Sequence, residues 1–297
     1  MDKLIGGSFN TGIEESVCNR TGSRWKITEV IRGKADDSHW SALIKGTSLN
    51  VFVKAAKSPV SLDQFIQEAW GLRYIKSRSC IKTPEVIDVL DINGISLMIF
   101  KAVETKPVKD KKDWEVLGRS LAMLHKTTWE KCGLETHSYF GIIKQDNRPM
   151  DSWPAFFAER RLRDFMITAA ITGKLTVQQT ALIEKLISKL HCICGPEQPF
   201  SLLHGDPRIN NLLFDGKEMI AINCAVYYGN REMDLAAVAF LSAVPDHFFK
   251  AYDEVFPIEQ GYNEREELWR IQQWICLVML YGDKYIPGLM EAVNKYI

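Results

Sequence analysis

The chain has no long apolar run: nowhere in its 297 residues does it approach the roughly 20 consecutive apolar positions of a membrane span. Its start, Met1-Asp2-Lys3-Leu4-Ile5-Gly6-Gly7, carries no secretory apolar core either, so a cytoplasmic protein working off the membrane is expected. Net charge is missing too. The 37 basic residues offset 37 acidic ones, and without a whole-molecule field nucleic acid is not an expected partner. Cysteine is sparse, odd in number and irregularly spaced, which reads as seven reduced thiols and not as a disulfide framework. The one cluster, His191-Cys192-Ile193-Cys194, has no second ligand pair at zinc-site spacing and reads as the surface end of a helix ahead of a metal site. Internal repeats and low-complexity linkers are absent. What remains, 46% hydrophobic and 25% charged, is an ordinary globular chain able to bury one or two cores.

The first hundred residues are strand-rich. Trp25 to Ile31, Ser41 to Lys45 and Leu49 to Lys54 alternate or run apolar between turn signals such as Gly46-Thr47-Ser48. From Ser61 to Arg78 the period changes: Phe65, Ala69, Leu72 and Ile75 share a stripe, with Ser61 or Asp63 able to cap the helix. Pro84 to Leu90 and Ile95 to Phe100 flank the turn Asp91-Ile92-Asn93-Gly94 and predict a hairpin that closes the sheet. Beyond Val103 the pattern is mainly helical, over Trp114 to His125, Trp153 to Ala170, Thr176 to Leu190 and Glu264 to Leu280. Only Leu212-Leu213-Phe214 and Met219 to Ile222, joined by Asp215-Gly216-Lys217, interrupt it as a second hairpin. The layout is a small β-rich lobe with one prominent helix (1–102), a charged connector at Lys106 to Lys112, and a larger helical lobe (103–297). A ligand cleft between such lobes is expected.

The most informative segment is His204-Gly205-Asp206-Pro207-Arg208-Ile209-Asn210-Asn211. An Asp two residues after a His, and an Asn five residues after that Asp, is the spacing of a kinase catalytic loop: the Asp accepts the substrate hydroxyl proton and the Asn holds Mg²⁺. Taken alone, the pattern also fits an ordinary Asx turn. Its context separates the two readings. Val51-Phe52-Val53-Lys54 puts a lysine at the end of an apolar strand, where a cation on nucleotide phosphates belongs, and Glu68 on the following helix is placed to pair with it.

In these residues the chain resembles the fructosamine (ketosamine) kinase family, a branch of the aminoglycoside-phosphotransferase-like, protein-kinase-like fold, from about residue 25 to about residue 290. The stretches that carry the likeness are Val51 to Lys54, Leu117 to His125, Trp153 to Leu162, Leu202 to Asp206 and, most specific, Ala225-Val226-Tyr227-Tyr228-Gly229-Asn230-Arg231-Glu232-Met233-Asp234-Leu235-Ala236. The resemblance implies an α+β, bilobal fold and an ATP- and Mg²⁺-dependent kinase acting on a sugar hydroxyl of a ketosamine, free or protein-bound. It further implies that Lys54 holds the phosphates, Glu68 orients Lys54, and Phe100, Lys101 and Ala102 line the adenine hinge. Asp206 is then the base and Asn211 a metal ligand, while His204 and Asp234 brace the loop. An aminoglycoside-modifying enzyme fits less well, because that branch lacks the Tyr-Tyr-Gly-Asn-Arg-Glu type of stretch.

The departures are equally specific. Where the family reads Ile-Asp-Pro-Ala, this chain has Ile222-Asn223-Cys224-Ala225, so the main Mg²⁺-binding carboxylate is an amide and the metal site is expected to be weakened, resting on Asn211 and Asn223. The family's Leu-Trp after His-Gly-Asp is Pro207-Arg208, and Arg208 beside the base suits an anionic acceptor better than a neutral sugar. A late Asn-His pair is Cys276-Leu277, and the loop Arg32 to Trp40 keeps only Gly33. Two readings follow: a kinase with altered metal use, or a pseudokinase that binds a nucleotide or a partner without transfer.

Overall fold

The computed structural model describes residues 7–35, 39–196 and 199–297. Five strands, β1 (Ile27–Ala35), β2 (His39–Gly46), β3 (Val51–Ala56), β4 (Val86–Ile92) and β5 (Ile95–Lys101), form an antiparallel sheet in the order β1-β2-β3-β5-β4. The β4–β5 connection is tight because Asn93 and Gly94 both take positive φ, 55° and 78°, the geometry a two-residue hairpin needs. The sheet is covered on one face by α1 (Ser8–Thr21) and on the other by α2 (Ser61–Arg78). The helix α1 has no counterpart among the sequence expectations. Its buried stripe is only Phe9, Ile13 and Val17 within polar surroundings, too thin a periodicity to stand out. Trp25, expected to open the first strand, instead lies fully buried, its Nε1–H donating to the Leu49 carbonyl at 2.9 Å.

On α2 the stripe Phe65, Ala69, Leu72 and Ile75 is buried as the spacing requires, but neither Ser61 nor Asp63 caps the helix. The Ser61 hydroxyl is bound to Ser58 O and the Ser96 hydroxyl. The Asp63 carboxylate accepts from Tyr139 and His137 and so ties α2 to the larger lobe. Long-range partners outcompete the local cap.

The larger lobe begins with α3 (Lys111–His125), started by a reciprocal capping box between Asp110 and Asp113 three residues before the apolar periodicity sets in. Short strands follow that are too brief to leave a sequence signal: β6 (Thr128–Trp129), β7 (Ser138–Phe140) and β8 (Ile143–Gln145). The predicted helix over 153–170 is three consecutive segments, α4 (Trp153–Phe156), a π-helical stretch (Phe157–Arg163) and α5 (Asp164–Ile171). The π turn lets Arg161 point fully inward, where it donates to Asp146 O and Asn147 Oδ1 and lies 4.1 Å from the Tyr227 ring. Next come α6 (Val177–Ile187), capped by Thr176, and α7 (Leu190–Ile193), which carries the exposed His191 and Cys192; Cys194, just past it, is buried. The lobe is completed by β9 (Phe200–Leu203), β10 (Leu212–Phe214), β11 (Met219–Ala221), β12 (Tyr227–Gly229), α8 (Glu232–Leu241), α9 (Asp246–Val255), α10 (Tyr262–Tyr281) and α11 (Ile286–Asn294). Strands β10 and β11 pair as the expected second hairpin, while β12, β9 and β6 form a small sheet that no local pattern announces.

One apolar cluster runs from α2 and β5 through α3, the π segment and α10, so the lobes share a core. A second, smaller cluster lies between α1 and the sheet. All seven cysteines are free thiols, and no described helix is long and apolar enough to cross a membrane.

Candidate active site

Strand alternation turns Val51, Val53 and Ala55 toward α1, which leaves Phe52 and Lys54 facing the cleft. Lys54 Nζ meets Glu68 of α2 at 2.6 and 2.8 Å, with the Glu68 side chain almost wholly buried. In such a pair, removing either partner strands a buried charge and costs about 3–5 kcal/mol. Lys54 also donates to Asn223 Oδ1 at 2.8 Å. Asn223 follows β11 at φ 54°, in the left-handed region that Asn and Asp tolerate best among residues with a side chain.

From Asn223 the hydrogen bonds continue toward the loop. Its Nδ2 donates to Asn211 Oδ1 at 2.7 Å, and Asn211 Nδ2 donates to Asp206 O at 2.8 Å and Asp206 Oδ2 at 3.1 Å. Arg208 closes the chain with two bonds to Asp206, Nε to Oδ1 at 2.9 Å and Nη2 to Oδ2 at 2.6 Å. Six side chains, Glu68, Lys54, Asn223, Asn211, Asp206 and Arg208, thus form one continuous network from the small lobe to the helical one.

The loop carrying Asp206 is held from behind. Asp234, in the first turn of α8, accepts from His204 N at 2.7 Å and Gly205 N at 3.1 Å. His204 Nδ1 accepts from Asp206 N at 3.3 Å, and its Nε2 lies 3.5 Å from the Cys224 thiol. Gly205 sits at φ 82°, and a Cβ there would come within 2.1 Å of the Ala225 carbonyl oxygen, so only glycine lets the two loops touch. The sequence reading gave His125 no role, yet it is fully buried and bridges Asp234 (3.2 Å) and the Tyr252 hydroxyl (2.7 Å). The Asn230–Asp234 stretch has a physical basis too. Arg231 and Glu232 are buried, and Glu232 binds Arg265 and the Trp269 indole of α10.

Burial pushes the imidazoles of His125 and His204 below the ordinary value near 6.5 against the pull of Asp234, so both are neutral at pH 7. The unfolded chain therefore protonates first as pH falls through about 6.5, and the stability these groups contribute, complete above that value, is lost below it. The slope is at most about 1.4 kcal/mol per pH unit for each histidine, until the folded imidazole itself takes a proton. Melting temperature is expected to drop between about pH 7 and about pH 5.5, and less steeply in His125→Gln. An equally steep drop in the variant would show that His125 does not carry its share.

Beside Lys54 opens a cavity of about 570 Å³ whose walls include Phe52, Phe100, Lys101, Ala102, Leu213 and Asn223. Apolar walls with two lysines, Lys54 and Lys101, among them fit a flat heterocycle bearing phosphates. Asp36 to Ser38, within the expected covering loop, lie outside the described residues. The side chains do not offer a matching cradle for Mg²⁺. The amide oxygens of Asn211 and Asn223 already accept hydrogen bonds, Glu68 is taken by Lys54 and Asp206 by Arg208, and no cluster of three His, Cys, Asp or Glu side chains is set to hold a metal among the described residues.

The chain shares 29% identity with a probable ketoamine kinase of Vibrio parahaemolyticus over 274 residues, covering 92% of this chain and 94% of that one. A chloroplastic protein-ribulosamine 3-kinase of Arabidopsis thaliana is 26% identical over 297 aligned positions, covering 92% and 86%. Among solved structures, a candidate fructosamine-3-kinase of Thermobifida fusca superposes with a TM-score of 0.84 at 26% identity, over 96% of this chain and 98% of that chain. The aminoglycoside phosphotransferase APH(4)-Ia superposes at 0.61 with 12% identity, a likeness of fold alone. The fructosamine kinase family model matches residues 10–297, nearly the whole chain, and the protein belongs to that family.

Proposed function

We propose that this protein transfers the γ-phosphoryl group of ATP to a sugar hydroxyl of a ketosamine, with a weakened metal site. The observation that carries the reading is the Lys54–Glu68 pair set across the cleft from Asp206 and joined to it through Asn223 and Asn211. Lys54, held by Glu68, binds the phosphates; Phe52, Phe100 and Ala102 enclose the base. ATP supplies the electrophilic phosphorus. Asp206 takes the proton of the acceptor hydroxyl as the new O–P bond forms and the bond to the ADP leaving oxygen breaks. Gly205, His204 and Asp234 keep the carboxylate in place. Nucleotide binding should depend only weakly on the metal, because Glu68 and Asp206, the carboxylates of the network, are already paired with Lys54 and Arg208.

A pseudokinase is the second reading, and one observation favours it: the amides of Asn223 and Asn211 and the carboxylate of Asp206 already bond to partners within the protein. Calorimetric titration with ATP, with and without Mg²⁺ or Mn²⁺, followed by phosphate transfer to a fructosyl-amine, tests both. Binding with shallow metal dependence plus transfer is the expected result. Binding without transfer establishes the pseudokinase, and no heat at millimolar nucleotide overturns the cleft assignment.

A further inference from the structure

Arg208 does more in the structure than stand beside the base. Its Nε and Nη2 each take one oxygen of Asp206, and among the described residues the guanidinium hydrogen-bonds to nothing else. With Asn211 as a third donor, three of the carboxylate's roughly four acceptor sites are taken, and a hydroxyl reaches the remaining one, on Oδ1, only alongside the guanidinium. The two partners are unequal. The Asp206 side chain is 8% exposed and fixed by its loop, whereas that of Arg208 is 47% exposed, so the arginine is the part that can swing away.

Swinging away has to be compensated. A fork-to-carboxylate pair gives two charge-assisted bonds, and a neutral sugar offers nothing of equal strength in exchange. An anion does: a carboxylate or phosphate matches the same fork and lets two bonds be replaced by two. The position of Arg208 argues for an anion on the acceptor and not on the nucleotide. The arginine is not among the residues lining the cavity beside Lys54. Near the arginine lies Tyr281, 60% exposed at the end of α10. Tyr281 in turn neighbours Tyr285 (6.1 Å between ring centroids), and Tyr285 neighbours Trp274 (6.5 Å), an aromatic wall on the helical-lobe side.

We infer that Arg208 is a specificity gate on Asp206, which opens for ketosamines that carry an anionic group, a free carboxylate or a phosphate, near the reacting sugar. This rests on the kinase reading above. Ketosamines of free amino acids and phosphorylated ketosamines are then accepted, while adducts on protein lysines, whose carboxylates are locked in peptide bonds, are poor.

The test uses three acceptors, fructosyl-glycine, fructosyl-glycinamide and the 6-phosphate of the glycinamide, with the wild type, Arg208→Leu and Arg208→Lys. Wild type should favour one or both anionic acceptors over the neutral amide by about tenfold or more in kcat/KM, chiefly through KM. Which of the two it favours identifies the source of the charge. Arg208→Leu should erase the preference and raise turnover of the neutral amide; Arg208→Lys should keep part of the preference. Equal use of all three by the wild type, or a preference that survives Arg208→Leu, overturns the gate. A loss of about tenfold in ATP but not ADP affinity in Arg208→Leu also overturns it, because the arginine would then serve the γ-phosphate. If no acceptor turns over, the kinase reading fails, and calorimetric binding of the same compounds still decides the gate: tighter binding of an anionic acceptor, levelled in Arg208→Leu, supports it, and equal binding removes it.

Discussion

Asp206→Asn is expected to lower phosphoryl transfer to a fructosyl-amine by about 10²–10⁴-fold while nucleotide affinity and fold stay close to those of the wild type. The amide keeps the shape of the carboxylate but accepts no proton, and loss of a positioned base is worth about that factor. The fold should survive because the loop is held by Asp234 and by the contact at Gly205, neither of which uses the Asp206 carboxylate. One new conflict arises locally: the amide N–H₂ would face the guanidinium of Arg208 in either orientation, and Asn211 Nδ2 as well at the Oδ2 position. Arg208 is half exposed and can turn to water, so the thermal midpoint should move by only a few degrees, or about 1 kcal/mol. Single-turnover transfer, ATP calorimetry and a melt on the same sample check this. Unchanged transfer would show that the base lies elsewhere.

Asn223→Asp has the opposite sign. In the wild type the Asn223 amide is used at both ends, its oxygen accepting from Lys54 and its nitrogen donating to Asn211 Oδ1. An aspartate keeps the first bond and loses the second, which leaves one of its oxygens opposite the Asn211 oxygen. Two facing oxygens, one of them anionic, repel each other unless the Asn211 amide turns over or a cation enters between them, and that is the donor arrangement Mg²⁺ prefers. The backbone at φ 54° accepts Asp nearly as readily as Asn, so the fold should carry the change. Restoring a main metal ligand is worth several kcal/mol of transition-state stabilisation, or about two powers of ten or more in rate. Mg²⁺-dependent transfer should therefore rise about 100-fold if metal use is the only function weakened. If Pro207-Arg208 and Cys276-Leu277 have also remodelled the acceptor side, Mg·ATP binding should strengthen with no gain of transfer, the signature of a pseudokinase. Weaker nucleotide binding would mean that Asn223 does not face the phosphates.

Much of the site is legible in the sequence. Lys54, Glu68, Asp206 and Asn211 are legible from a strand end, a helix position and loop spacing, Asn223 from the family resemblance, and the structure brings all five into one network. The small-lobe sheet, the α2 stripe and both hairpins were legible because each is written as a short-range repeat, period 2 or about 3.6, bounded by turn residues. The strands β6, β9 and β12 were not, because two to four residues carry no period of their own and are strands only by virtue of their neighbours. The caps expected at Ser61 and Asp63 failed for the same reason in reverse: side chains with a strong local option were claimed by Ser96, His137 and Tyr139 from distant parts of the chain.

Motifs read along the chain carried the family resemblance, the two-lobe layout and most of the groups that could do chemistry, since residue type and spacing are local quantities. Tertiary structure alone decided who is bonded to whom. That Arg208 grips both oxygens of Asp206, that Lys54 spends a bond on Asn223, and that His125 braces Asp234 across 109 residues are outcomes of burial, which removes water as a partner and makes each polar group bond to whatever the fold brings within reach.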